Sequence, residues 1–395
     1  MVMMLIESSS SSPSFSPLPA SLLPNEILAA IFEHLSRHAL TIVVRVSRHW
    51  RGPAERILYT TVQINKVLPR TSPVQLKGYP MCATMPSNTL CCCETLSKHA
   101  HLAEVVRKFH IRWHTESVES PAFLLLIAQN IIRTLVPSFI HLESLELALG
   151  LAAHPPPLVD YFSSRSLPLL RNLSLGGLGG SPEPVLRNHP NLRHFKLADH
   201  TQPLRLHAED LPHLLSFRGS PVVAASVLPG RPVQTLTLIG FEFVTEADLE
   251  RIAQTTVPIR ALDLSGMSVT PTLLRDVSRH LPHVEVLKVR LALRHTLHFA
   301  LSGIHLLTGL TTVLGAFHDL KSLDFSPTNA VDGAALGTSS GASEEAHLCA
   351  AWAQVCPSLR RVTFPSKTEW TNHGGRGMST QWTSEGPAFS VSASR

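Results

Sequence analysis

Between residues 142 and 364 one short pattern returns nine times: an apolar residue, two positions, an apolar residue, one position, an apolar residue. It reads Leu142-Glu143-Ser144-Leu145-Glu146-Leu147 and then Leu170-Arg171-Asn172-Leu173-Ser174-Leu175. It returns as Leu192-Arg193-His194-Phe195-Lys196-Leu197, as Leu214-Leu215-Ser216-Phe217, and from Val233, Ile259, Val284, Leu320 and Leu359. A proline stands one or two residues ahead of several copies: Pro168, Pro190, Pro212 and Pro232. Val106 to Ile111 is an earlier, degenerate copy. Successive starts lie 28, 22, 22, 19, 26, 25, 36 and 39 residues apart.

Alternation of the last two apolar positions is strand periodicity. A strand this short cannot bury one face alone, and stacking each copy on the next in parallel builds one continuous core. Helical character lies between strands at Glu246 to Ala253, Thr272 to His280 and Glu344 to Val355. Strand, turn and helix at this spacing is the leucine-rich-repeat period, here irregular and without the usual asparagine. The expected class is α/β, an irregular solenoid of parallel strands over residues 101–365. An ordinary α/β domain with Leu-rich strands is the alternative. Period two points Leu145, Leu147, Leu173, Leu175, Leu236, Leu238, Leu262, Leu264, Leu287 and Leu323 inward. It points Glu146, Ser174, Lys196, Thr237, Asp263, Lys288 and Asp324 outward. Ser326 to Ser343, rich in Gly, Ala and Ser, is expected to be a surface loop, and residues 366–395 a C-terminal cap followed by a loose tail.

The N-terminal part has another texture. Residues 1–20 are a Ser/Pro-rich tail. Residues 21–62 carry three short apolar segments at helical spacing: Ile27, Leu28, Ile31 and Leu35; Leu40 to Val46; and Trp50, Ala54, Ile57 and Leu58. Pro24 suits a first helical turn, and Pro53 is tolerable only there. Three helices in so few residues make a marginal core that must lean on a partner or on the rest of the chain. Residues 63–100, with their Pro, Thr and Ser, are expected to be a linker. Met1 to Thr115 holds 12 Lys/Arg against 6 Asp/Glu, while the remainder holds 22 against 23. The basic excess favours an acidic partner.

The chemistry-bearing motifs are sparse. No Walker loop, Gly-x-Ser-x-Gly elbow or His-Glu-x-x-His helix occurs, so the chain is expected to be neither an enzyme nor a cofactor carrier. Gly176-Gly177-Leu178-Gly179-Gly180 follows a repeat strand and reads as a turn. Cys91, Cys92 and Cys93, with His99 and His101, are soft ligands, but adjacent cysteines chelate a tetrahedral metal poorly, so no metal is expected. Six cysteines in 395 residues form no disulfide scaffold. With no convincing secretory signal and no apolar run near about 18 residues, an intracellular chain without a membrane span is expected, cytoplasmic or nuclear.

Leu23-Pro24, Glu26-Ile27-Leu28, Ile31-Phe32, Leu35, Leu40, Val46-Ser47-Arg48-His49-Trp50-Arg51 and Leu58 stand in one ordered spacing, and residues 23 to 59 resemble an F-box. Ala39 replaces the family's acidic residue and Ser47 its common Cys. The repeats look like those of F-box proteins with divergent leucine-rich repeats, as found in many fungi. The resemblance implies a substrate receptor of a cullin–RING ubiquitin ligase. Its F-box docks on a Skp-type linker subunit, and through it cullin, while the solenoid holds a protein target, with no nucleic acid or membrane involved. On that resemblance Leu23, Pro24, Ile27, Leu28, Ile31, Leu40, Val44, Val46 and Trp50 divide between the small core and the linker interface. Arg37, Arg45, Arg48, Arg51 and Arg56 suit an acidic partner. The other reading is a leucine-rich-repeat scaffold with no ligase role. For the target, adjacent like charges at Lys196 and Arg218, with His194 on the same outward face, suggest a pocket for an acidic or phosphorylated segment.

Overall fold

The computed structural model describes residues 23–68, 87–115, 122–150, 157–162, 167–291, 307, 309–326, 328, 339–374 and 382–385. The expected tail at 1–20 and the last residues of the chain lie outside them. So does 69–86 of the expected linker.

Each repeat places its alternating residues in a strand, and the strands follow one another in chain order within a single sheet. They are β1 (Thr61–Leu68), β2 (Lys108–Thr115), β3 (Ser144–Ala148), β4 (Asn172–Gly176), β5 (His194–Leu197), β6 (Ser216–Gly219), β7 (Thr235–Ile239), β8 (Ala261–Val269), β9 (Val286–Leu291), β10 (Ser322–Asp324), β11 (Arg361–Thr363), β12 (Glu369–Asn372) and β13 (Trp382–Glu385). From β1 to β11 every neighbouring pair is parallel. The sheet is not closed. This is the α/β solenoid that the period implies.

Three apolar ladders run its length. The first positions, Leu142, Leu170, Leu192, Leu214, Val233, Ile259, Val284, Leu320 and Leu359, are all buried. So are the second, among them Leu145, Leu173, Phe195, Phe217, Leu236, Leu262, Leu287, Leu323 and Val362, which face one another in register. At the third, β6 departs from its neighbours with Gly219. A backbone device repeats beside these ladders. The amides of Glu143 and Ser144 both donate to the Arg107 carbonyl, those of Arg171 and Asn172 to Glu143, and so on to Arg360 and Arg361 on Lys321. Each copy therefore satisfies the carbonyl that the previous copy leaves outside its strand.

After α1 (Asn25–Phe32), α2 (Arg37–Val46), α3 (Arg48–Thr60) and α4 (Ser87–Lys98), helices fill the return path: α5 (Ala100–Glu104), α6 (Ala122–Asn130), α7 (Glu183–Arg187), α8 (Pro221–Val227), α9 (Glu246–Ile252), α10 (Pro271–His280), α11 (Thr311–Leu314) and α12 (Ser339–Val355). Thr245 and Asp248 form a reciprocal cap on α9, and Thr270 accepts from the Leu273 amide at the start of α10. The expected loop at Ser326 to Ser343 is corrected at its end, where 339–343 are helix despite Gly341, whose cost to a helix is only about 1 kcal/mol; 327 and 329–338 lie outside the described residues. At the C-terminal end β11, β12 and β13 pair antiparallel. Trp370 is buried there and donates to Glu345 Oε2 at 2.9 Å. Among the described residues no helix is long and apolar enough to cross a membrane.

The expected linker is also corrected. Thr61–Leu68 is a strand of the sheet, with Val62 and Ile64 facing Phe109 and Ile111 in register. It follows the third N-terminal helix without a spacer, and Arg107 N donates to Thr60 O at 2.9 Å. Residues 87–98 form α4 (Ser87–Lys98), which buries Cys93 and Leu96 against the solenoid core. Apolar alternation at 62–64 outweighs the turn-rich residues that follow it.

Candidate functional site

Residues 25–60 fold into α1 (Asn25–Phe32), α2 (Arg37–Val46) and α3 (Arg48–Thr60). Ser36 Oγ accepts from the Ala39 amide and Ser47 Oγ from the Trp50 amide, so each turn ends in a side-chain cap. Pro24 is the N-cap of α1 rather than part of its first turn, and its carbonyl accepts the amides of Ile27 and Leu28. Pro53 lies in the second turn of α3, later than expected; it is buried, and the helix continues through it. Leu28, Phe32, Leu40 and Ala54 form the core, with Leu23, Leu35, Val43, Val44, Trp50, Ile57 and Leu58 half-buried around them. The rings of Phe32 and Trp50 meet edge to face at 5.9 Å.

The helical spacing alone does not divide these residues; the packing does. Leu28 and Leu40 are core, and Leu23, Val44 and Trp50 line it. Pro24 is exposed. Ile27, Ile31 and Val46 are 49%, 47% and 58% exposed, and Ile42, which the spacing did not single out, is 54% exposed. Ile27 and Ile31 stand one turn apart on α1, and Ile42 and Val46 one turn apart on α2, so each helix turns an aliphatic pair to solvent. Arg37, Arg45, Arg48, Arg51 and Arg56 are exposed on the same unit. Arg51 pairs with Glu55 at 2.8 Å.

Residues 20–65 match the F-box-like family. The match covers the three helices and the start of β1. No curated protein matches the chain. Among solved structures, an internalin from Listeria monocytogenes is similar at 10% identity over 87% of this chain and 88% of that one, with a TM-score of 0.27. The solenoid rests on the strand register described above, not on that likeness. The F-box-like domain runs directly into it: β1 follows α3 without a spacer, and Tyr59 of α3 packs against the solenoid core.

A second candidate site lies on the outward face of the strands. Register places Glu146, Ser174, Lys196, Arg218, Thr237, Asp263, Lys288, Asp324 and Thr363 side by side in one row. A groove of about 270 Å³ runs over its first part, and His194, Lys196 and Arg218 all line it, together with His110, Glu146 and Asn172. Arg218 is exposed and has no ion pair among the described residues. Lys196 does not stand against Arg218 unrelieved, as the sequence suggested, because its Nζ lies 3.6 Å from Glu146 Oε1.

Glu146 also departs from the expected open position. It is only 7% exposed, because Arg112 grips its carboxylate from β2 through Nε and a terminal nitrogen at 2.8 and 2.6 Å. Burial alone would raise the Glu146 pKa, but hydrogen bonding and charge from Arg112, with Lys196 and His110, outweigh it and hold the carboxyl below its ordinary value. Burial lowers the pKa of the neighbouring His110, whose ring bonds Ser144 Oγ at 2.9 Å. Arg112 and His110 were not singled out from the sequence. The signal available was the degenerate copy at Val106 to Ile111, whose alignment puts His110 beside Glu146 and Arg112 one step beyond the last apolar position.

The soft ligands do not converge. Cys91 is exposed, Cys92 half-buried and Cys93 buried on consecutive positions of α4. Among the described residues no three metal-binding side chains come together. Gly177 and Gly180 take positive φ in the turn after β4.

Proposed function

We propose that this protein is the substrate-receptor subunit of a Skp–cullin–F-box ubiquitin ligase, an F-box protein with divergent leucine-rich repeats of the kind many fungi carry. The F-box-like domain docks on the linker subunit through Pro24, Ile27, Ile31, Ile42 and Val46, with Leu23, Leu28, Leu40, Val44 and Trp50 holding the helices in place. The surrounding arginines meet an acidic partner. The solenoid holds a protein target over the groove of His194, Lys196 and Arg218, whose excess positive charge suits an acidic or phosphorylated segment. The protein carries out no chemistry of its own. It raises the effective concentration of the target beside a ubiquitin-charged enzyme, and so works where those partners are, in cytoplasm or nucleus.

The single observation that carries this reading is the two exposed aliphatic pairs, Ile27 with Ile31 and Ile42 with Val46, on the helices matched by the F-box-like family. The test is co-purification of the intact chain with a Skp-type linker subunit and cullin. Joint recovery, lost in the variant Ile27→Glu, Ile31→Glu, supports the ligase role. A folded chain that binds neither subunit is instead a leucine-rich-repeat scaffold.

A further inference from the structure

The open sheet ends differently at its two edges. At the C-terminal one, β12 and β13 are four residues each and pair antiparallel. At the N-terminal one, β1 runs for eight residues in unbroken register with β2, from Thr61 opposite Lys108 to Leu68 opposite Thr115, without a proline or a bulge. A long, regular edge strand is a ready pairing surface, which proteins ordinarily shorten, bulge or cover. No described strand or helix besides β2 and α3, which runs straight into it, packs substantially against β1.

The register sets where the free backbone groups point. The amides of Ser144, Asn172, His194 and Ser216 each donate back to the preceding copy. Thr61 stands in line with Lys108 and Ser144. Alternate residues after it, Gln63, Asn65 and Val67, therefore aim N–H and C=O away from β2, where no earlier strand exists. Among the described residues no backbone hydrogen bond reaches them on that side. Gln63 and Asn65 are exposed, and Val67 is 61% exposed.

Side chains select what can pair there. On the core side of the strand Val62, Ile64 and Lys66 stand beside Phe109, Ile111 and Trp113. β1 and β2 together carry Lys66, Lys108 and Arg112 and no Asp or Glu. Arg112 is held by Glu146, while Lys66 and Lys108 have no ion pair among the described residues. A lysine turned to the core side of an edge strand penalises a neutral or basic strand beside it, a second copy with its own Lys66 included. An acidic strand meets that charge, and apolar residues alternating along it extend the row of Val62 and Ile64.

We infer that β1 is the docking edge for an extended acidic segment of a partner protein. The segment adds one strand to the sheet, with apolar residues beside Val62 and Ile64 and a carboxylate beside Lys66. Backbone pairing supplies affinity, and the carboxylate supplies selectivity. None of these residues belongs to the proposed linker interface, so failure of binding at this edge leaves that docking unaffected.

The test uses the full-length chain and a fluorescent peptide of alternating valine and threonine with two glutamates at one end. A lysine-ended peptide is its counterpart. The glutamate peptide is expected to bind and the lysine peptide not. Asn65→Pro removes an N–H that faces away from β2, so the chain should keep its melting temperature. Binding of the glutamate peptide should weaken about tenfold, roughly the worth of one hydrogen bond. Lys66→Glu should reverse the preference between the two peptides. With the unaltered chain, N-methylation of alternate peptide residues should abolish binding in one parity and spare it in the other, which reads the edge even where Asn65→Pro fails to fold. Equal binding of the two peptides, binding of neither, undiminished binding to folded Asn65→Pro, or indifference to the parity of N-methylation overturns the docking edge. Self-association that Asn65→Pro abolishes gives the edge to a second copy and also overturns it.

Discussion

The ring of Phe217 occupies the space that a side chain at Gly219 would need. A Cβ there would come within 2.7 Å of Phe217 Cζ and 3.3 Å of the Leu197 carbonyl oxygen. β6 thus fills its second and third core positions with one large residue, and the sequence omits the third apolar residue at that copy alone. Gly219→Ala should destabilise the chain by about 1–3 kcal/mol through overpacking. Phe217→Leu in the same chain should recover part of that loss, and equilibrium denaturation of the four combinations measures the coupling. Additive effects would show that the two positions do not share the space.

In the F-box-like domain the exposed and buried aliphatics should separate cleanly under mutation. Ile27→Glu with Ile31→Glu should abolish linker-subunit binding and leave the circular dichroism spectrum and melting temperature nearly unchanged. Leu28→Ala should cost about 2–5 kcal/mol and lose binding only through unfolding of the three helices. Native-state hydrogen exchange over residues 25–60 distinguishes the two outcomes.

Removing the Glu146 carboxylate should loosen the groove. Its folded pKa lies below the ordinary value of 4.5, so its contribution to stability is present above that value and fades as pH falls through the folded pKa. Glu146→Gln should cost about 1–2 kcal/mol at neutral pH, since Arg112 and Lys196 can rehydrate in part. It should also flatten the acid limb of stability against pH. An acid limb of unchanged slope would mean that other carboxylates set it.

At the C-terminal cap, Trp370→Phe should leave Glu345 with one fewer donor in a buried site and cost about 1–3 kcal/mol. The loss should appear first as faster amide exchange in α12 and β11, the elements nearest the cap.

The thiols of α4 should react in order of burial. Burial raises Cys92 to about 11 and Cys93 to about 12, so at pH 8 both stay protonated. Iodoacetamide should label the exposed Cys91 in the native chain and Cys93 only after denaturation, read by peptide mass spectrometry.

The repeat itself determined the fold class, the parallel order and the register of the outward row from Glu146 to Thr363. A period of two is local information, and in a solenoid each strand's neighbour is the next copy in the chain. It also brought His194, Lys196 and Arg218 onto one face. The F-box spacing likewise named the residues that build the three helices.

What those helices leave uncovered was decided by packing. Ile27 and Leu28 are adjacent in sequence, yet one is half-exposed and the other is core, because α3 crosses only one face of α1. Ile42 was hidden in an apolar run for the same reason. The pairing of Arg112 with Glu146 joins residues 34 apart, and Lys196 reaches that carboxylate from two strands away. Neither follows from composition. Thr61 to Leu68 became strand rather than linker because β2 offers it an in-register apolar row. Alternation writes direction into the sequence, but burial and charge pairing depend on which strand stacks beside which, and that is fixed only when the whole sheet is assembled over one core.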